Sequence, residues 1–336
     1  MTKQATQETR PTVQLGSHGP TVFPLALGCM GMSPIYGASD DDESIATVHA
    51  AIEAGVNLID TGDFYGMGHN ELLLRRALAG RRDKVLLSVK FGALRGPDGA
   101  WHGFDARPAA VKNFVAHSLT RLGVDVIDIY RPARLDPSVP IEDTIGAIAE
   151  LIKAGYVRHI GLSEVGAETI RRAHKVHPIA DLQIEYALIS RAPEAKIFPV
   201  LEELGISATL YGVLSRGLLG GATPQASAGD YRAHLPRFSK DHAAQNEAVV
   251  ARLRAFAAAR ELTLGQAAIA WVLAKQPRFV PVVGVRKRTQ LEDALGALRR
   301  PLSAADVAEL EALIPADAIA GDRYQAAQMA HLDSEK

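Results

Sequence analysis

Between about residue 21 and residue 300, a short apolar run is followed by a helical pattern again and again, and this alternation constrains the fold most strongly. The runs at 21–28, 57–62, 84–92, 126–133, 157–164, 181–186, 206–212 and 278–285 read as strands. They are nearly continuous in aliphatic residues, as parallel strands covered on both faces are. The intervening segments 43–55, 70–80, 107–123, 140–155, 166–176, 196–205, about 245–260 with 264–275, and 289–298 read as helices, and 303–314 as a further one. Ile141, Ile145, Ile148 and Ile152 form an apolar stripe at helical spacing. Gly55, Gly80, Gly123, Gly155 and Gly205 stand where a helix gives way to a strand, which predicts left-handed caps. Such units either close into a (β/α)8 TIM barrel or spread as an open doubly wound sheet. Eight units of regular length favour the barrel, with an N-terminal extension and long loops at its C-terminal face. No linker or composition shift divides the chain, so residues 1–336 are read as a single domain with a core of about 12–324.

Composition excludes several classes. With 47% hydrophobic and 22% charged residues, the chain is neither disordered nor collagen-like. A net charge of −1 gives no basic excess for nucleic acid or an anionic membrane. Cys29 is the sole cysteine, so no intrachain disulfide forms and no thiol cluster points to a metal. No apolar run approaches the length of a membrane span, and MTKQATQETR at the N-terminus has no apolar signal core. The expectation is a cytoplasmic protein acting on a small molecule. The acidic run at 40–43 is read as the first turn of a helix, complementing its dipole, rather than as a binding feature.

In a barrel of this class the active site lies at the C-terminal ends of the strands. Those ends carry Asp60, Asp63 and Tyr65, then Lys90, then Ser163 and Glu164, then Gln183 and Glu185, then Tyr211. Lys90 lies between Val89 and Phe91, so if it points inward it needs a counter-charge, which Asp60 on the neighbouring strand can supply. Tyr65 can then approach the ammonium, and a cation beside a phenol lowers its pKa from about 10. That is a tyrosine fit for proton transfer. An exposed lysine and a pocket-lining tyrosine account for the same spacing, and the residues alone leave both open.

Other site signatures are missing. There is no GxGxxG after a strand and no GxxxxGK[ST], and GMGHNE at 66–71 reads as a polar loop. The eleven histidines show no HExxH, and His174 and His177 are read as solvated surface residues. No GxSxG elbow occurs. VVGVRK at 282–287 with Arg288 runs from a strand end into a helix N-terminus, which suits a phosphate. A solvated basic turn explains it equally.

The runs DTGDFYG, SVKFG, SLTRLGVDVIDIY, KAGYVRHIGLSEV, QIEYALISR, YGVLSRGLLGG and DRY at 322–324 appear in an order that resembles the aldo-keto reductases, from about residue 12 to 324. The likeness is greatest to the branch with pyridoxal reductases and potassium-channel β-subunit relatives. The resemblance implies a barrel that binds NADPH without a Rossmann domain and transfers hydride to a carbonyl substrate. By position it makes Tyr65 the proton donor, Lys90 the residue that lowers its pKa, and Asp60 the partner of the lysine. It places Ser163 and Gln183 at the nicotinamide carboxamide, and Tyr211 against the nicotinamide ring. Gly212, Val213, Leu214, Arg216, Gly217 and Leu218 match the loop around the pyrophosphate. Gly284, Arg286 and Gln290 fall around the adenosine 2′-phosphate, with Asp293 near the adenine.

Two regions depart from the family pattern. Where the family has a histidine near the end of strand four, in a pattern like QHRxDP, this chain has RPARLDP and places Ala133. A methyl group cannot polarise a carbonyl, and losing such a group costs about 10²–10⁴-fold in rate. The chain is then a slow reductase, a cofactor-binding sensor with vestigial chemistry, or an enzyme for carbonyls that carry their own donor, as ortho-hydroxy aromatic aldehydes such as pyridoxal do. Arg131 shares the strand face of Ala133 and either replaces some of the missing positive character or is paired lower in the barrel. At the cofactor tail, Val285, Gln290 and Ala294 replace a family serine or threonine, an arginine and an asparagine, with Arg286, Lys287 and Arg288 available to compensate. Trp101 and His102, in the loop after strand three, are candidates for the pocket wall, and the long loop at 213–244 is a candidate lid over the cofactor.

Overall fold

The computed structural model describes residues 11–220, 230–315 and 318–336. Eight parallel strands close into a barrel in sequence order: β1 (Ala26–Gly28), β2 (Leu58–Gly62), β3 (Leu86–Phe91), β4 (Ile127–Pro132), β5 (Val157–Ser163), β6 (Ile179–Glu185), β7 (Ser207–Tyr211) and β8 (Val280–Gly284). Helices lie between them, at Asp41–Ala54, His69–Ala77, Pro108–Leu122, Ile141–Lys153, Ala167–Val176, Pro193–Leu204, Lys240–Ala258 with Leu264–Lys275, and Arg288–Gly296, and Ala304–Ala312 follows. The closed ring excludes the open doubly wound sheet.

Local chemistry sets the helix ends. Asp40 caps the first helix by accepting from the amides of Asp42 and Glu43 at 3.0 and 3.1 Å, and Asp41, Asp42 and Glu43 form its acidic first turn. Such a cap contributes about 1 kcal/mol. The five glycines expected to end helices all have positive φ, from 65° at Gly205 to 102° at Gly55. On Ile141–Lys153 the buried face holds Ile141, Ile145, Ile148 and Leu151, while Ile152 is only partly buried. Each such side chain contributes roughly 1.5–3 kcal/mol by leaving water.

The first expected strand is divided. Thr21–Val22 pairs antiparallel with Val13–Gln14 in a hairpin, and only Ala26–Gly28 joins the barrel. Pro24 is the cause: it has no N–H to give a ladder. The preceding amide, of Phe23, is bonded to the Asn57 side chain instead, at 2.8 Å. The hairpin closes one end of the barrel, where Leu15 and Val22 pack with Ala26, Leu58, Ile129, Val280 and Val282.

Positions two apart on a strand share a face, so the inward side of each strand is a ladder of layers. Above the apolar layer come Asp60, Ser88, Arg131, Asp181 and Thr209, all buried and joined by hydrogen bonds across the barrel. Arg131 has no exposed surface and meets Asp181 at 2.9 Å. Gly161 leaves room for this pair, since a Cβ there would sit 2.8 Å from Asp181 Oδ1 and 2.9 Å from Arg131 Cζ. The next layer outward carries Lys90, Ala133, Ser163, Gln183 and Tyr211, at the C-terminal mouth of the barrel. A second hairpin, Ala93–Arg95 with Trp101–Phe104, rises from the loop after β3. Among the described residues no helix is long and apolar enough to cross a membrane.

Candidate active site

A cavity of about 1110 Å³ opens at the C-terminal ends of the strands. At its floor the register pairs Asp60 with Ser88 and Gly62 with Lys90 between β2 and β3. The Lys90 ammonium meets Asp60 Oδ1 at 2.6 Å, and Asp60 Oδ2 accepts from Ser88 and from Gln183 Nε2, both at 2.8 Å. Both side chains of the ion pair are 6% exposed. Burial lowers the pKa of Lys90, and the adjoining Asp60 carboxylate opposes that shift. The inward-pointing, paired lysine is therefore the arrangement present, not an exposed one.

Tyr65 begins a 3₁₀ turn, Tyr65–Gly68, directly after β2. Lys90 Nζ lies 5.1 Å from the centre of its ring. The expected fall in the Tyr65 pKa is not what this arrangement produces. Burial first, and the Asp60 carboxylate second, push the phenol well above its ordinary value. The reason is electrostatic: the ammonium is already matched by a carboxylate at 2.6 Å, so the phenol faces an ion pair, and desolvation prevails. Tyr65 is thus a neutral phenol with a proton to give.

Ala133 lies on the cavity wall, 2% exposed. Arg131 does not stand in for a missing donor there. Its guanidinium is held by Asp181 and Ser88 Oγ, each at 2.9 Å, one layer below. The following residue, Arg134, does reach the cavity, and sequence reasoning passed over it. It donates to the Ala133 carbonyl at 2.6 Å and to the Tyr324 hydroxyl at 3.3 Å. Trp101 is on the wall, edge-on to Phe64, which is in turn edge-on to Tyr65. His102 does not line the cavity among the described residues.

Every cofactor position named from the sequence lies on this wall except Leu218, which packs against the core. Among the described residues Ser163 Oγ is buried without a hydrogen-bond partner, which leaves it open to a ligand. Ser215 and Arg216 both have positive φ, at 47° and 55°. Among the described residues the amides of Val213, Leu214 and Arg216 bond to no backbone carbonyl, leaving donors for an anion. At the far end Arg286 donates to Ala38 O at 3.2 Å and has no carboxylate partner among the described residues. The basic triplet does not act together, because Arg288 is paired with Glu43 at 3.0 Å. The Gln290 side chain accepts from the Arg286 amide at 3.0 Å, and Asp293 is fixed by Thr263 and Gln266 at 3.0 and 3.1 Å. These groups fit an extended nucleotide with an amide at one end and anionic groups along its length.

The C-terminal segment completes the wall with Tyr324, Gln328, His331 and Leu332. Arg323 ties it down, pairing with Glu164 at 2.6 Å and Glu335 at 2.7 Å. Burial works against the Glu164 charge, but Arg323 outweighs it and holds the carboxyl at about 2. Glu164 in turn accepts from the Tyr211 hydroxyl at 2.7 Å, which fixes that ring. The DRY run was the only sequence sign of this wall, and it carried no role. The Gly-, Ala- and Ser-rich part of the expected lid, 221–229, lies outside the described residues, while Tyr231, Arg232 and His234 line the cavity. His174 is not a free surface group: its Nδ1 accepts from the Ile179 amide at 3.3 Å.

Comparison with known proteins agrees with this geometry. A family model described as "Aldo/keto reductase family" matches residues 24–315. A probable aldo-keto reductase of Glycine max is 38% identical over 328 residues, covering 95% of this chain and 93% of that protein. Among solved structures, a glycerol dehydrogenase from Gluconobacter oxydans superposes with a TM-score of 0.81 at 26% identity, covering 97% of both chains. The holo form of an aldo-keto reductase from Bacillus halodurans does so at 0.75 and 28% identity, covering 91% of this chain and 97% of that one.

Proposed function

This chain belongs to the aldo/keto reductase family, whose reaction is nicotinamide-dependent carbonyl reduction, and from that premise we propose that it reduces aldehydes or ketones to alcohols with NADPH. When bound, the cofactor supplies the hydride. The chain's own residues supply the rest. Tyr65 gives its phenolic proton to the carbonyl oxygen as that oxygen gains negative charge. The Lys90 ammonium beside the ring stabilises the phenolate left behind, and Asp60, held by Ser88 and Gln183, keeps the ammonium charged and in place. Ser163 and Gln183 would hold the carboxamide, Tyr211 the ring face, Gly212 to Gly217 the pyrophosphate, and Arg286 the 2′-phosphate. The unpaired Arg286 supports NADPH over NADH. The observation that carries the proposal is the buried Asp60–Lys90 pair beside the Tyr65 ring at the cavity floor. A desolvated ion pair is costly, and strongly perturbed titratable groups cluster at functional sites.

Ala133 supports a narrower reading. With no protein donor from that position, the reaction favours carbonyls with an internal one, and ortho-hydroxy aromatic aldehydes such as pyridoxal have it. The same residue supports the second reading, an NADP(H)-binding sensor with slow reductase activity. The deciding experiment follows NADPH absorbance with pyridoxal as substrate, in the wild type and in Tyr65→Phe. Turnover that vanishes in the variant supports the reductase. Tight NADPH binding with no turnover across a panel of aldehydes refutes it in favour of the sensor.

A further inference from the structure

The arginines on the cavity wall are not equivalent. Arg216 is matched by Glu185 at 3.0 Å and Arg232 by Asp230 at 2.6 Å. The wall's own carboxylates are also occupied: Asp60 by Lys90, and Asp293 by Thr263 and Gln266. Besides Arg286, two wall arginines form no ion pair among the described residues, although the Glu164 charge favours the ionised form of one of them, Arg134. Arg134 uses only two of the five guanidinium donors, both on neutral acceptors. Among the described residues the Arg95 side chain makes no hydrogen bond or ion pair. Its guanidinium lies 4.3 Å from the centre of the Trp101 ring, its Nε is buried without a partner, and Trp101 leads through Phe64 to Tyr65. Two cations without an ion-pair partner among the described residues therefore line a cavity whose wall also carries the aromatic rings of Phe64, Trp101 and Tyr324.

A guanidinium in a partly desolvated wall is poised for an anion, because charge-assisted hydrogen bonds to it are stronger than neutral ones. We propose that Arg95 and Arg134 form an anion subsite for the substrate, so that the preferred carbonyl compounds are aromatic aldehydes or ketones bearing a carboxylate. This inference rests on the carbonyl-reduction reading and adds the substrate class. It concerns the distal substituent, whereas Ala133 concerns the carbonyl oxygen.

The test compares para-formylbenzoate with para-formylbenzamide, its neutral near-isostere, in the full-length protein with NADPH. The carboxylate is expected to win by about 10- to 100-fold in kcat/KM, the worth of a charge-assisted pair. In the Arg95→Gln/Arg134→Gln double variant the ratio should fall to within about threefold of one, and the two single variants apportion the loss. In parallel, calorimetry measures benzoate and benzamide binding to the protein–NADP⁺ complex, where the same preference should appear and fade in the double variant. A wild-type ratio near one, or a preference that survives in the double variant, overturns the inference. So does an NADP⁺ affinity that falls as far as that for benzoate, which would make these arginines cofactor contacts. If neither aldehyde is consumed, the benzoate comparison alone decides this inference, and the panel of aldehydes decides the carbonyl-reduction reading.

Discussion

Lys90→Met separates what the buried ion pair does for stability from what it does for chemistry. Methionine keeps most of the lysine stem and removes the charge. Asp60 then stays 4% exposed with only Ser88 and Gln183 as donors, and its carboxylate is uncompensated. Breaking a buried pair in this way costs about 3–5 kcal/mol. For 336 residues the unfolding entropy at the midpoint is about 0.7 kcal/mol per degree, so the melting temperature should fall by roughly 4–7 °C. In Asp60→Asn/Lys90→Met both charges are gone, and the amide still meets Ser88 and Gln183. Its stability should return to within about 1 kcal/mol of wild type, because neutral replacement of a buried pair is often nearly free. Turnover should not return: both variants should lose about 10²-fold or more, since the cation beside Tyr65 is absent from each. Thermal unfolding and NADPH oxidation on the same preparations give both numbers. A double variant as unstable as Lys90→Met would refute the electrostatic account and point to lost packing. A double variant that recovers activity would refute the role given to Lys90.

Asp63 gives a pH prediction. Burial and the nearby Glu71 raise its pKa to about 7, and its Oδ1 has no partner among the described residues. A carboxyl whose folded pKa lies above its unfolded value binds extra protons when folded. Its contribution is fully present below about pH 4 and lost as pH rises through about 7, roughly 3 kcal/mol between pH 5 and pH 8. Urea unfolding of Asp63→Asn should lack this loss, and identical pH slopes in the two proteins would remove the argument. Ala133→His should raise kcat/KM for benzaldehyde by about 10–100-fold, and by clearly less for its 2-hydroxy analogue; equal gains would end the internal-donor explanation. Arg286→Ala should weaken NADPH binding by about 10–100-fold and NADH by much less. Equal losses measured by fluorescence titration would count against a phosphate role.

What the sequence by itself determined was local or periodic. The repeated alternation of apolar runs and helical patterns implied the barrel, the acidic first turn at 40–43 and the glycine ends followed from residue type, and Asp60 and Lys90 fell at the ends of neighbouring strands with the direction of the lysine left open. Tertiary structure decided which groups meet. Gln183 reaches Asp60 across 123 residues of sequence and Arg323 reaches Glu164 across 159, contacts that exist only once the ring has closed. The same holds for charge. Arg131 carries its guanidinium down to Asp181, Arg288 is taken by Glu43, and among the described residues Arg95 and Arg134 are left without an ion pair. Spacing along a chain shows that a cation is near a face, but not which carboxylate neutralises it. The protonated state of Tyr65 has the same origin: burial and the field of a closed ion pair depend on the depth of the surrounding structure.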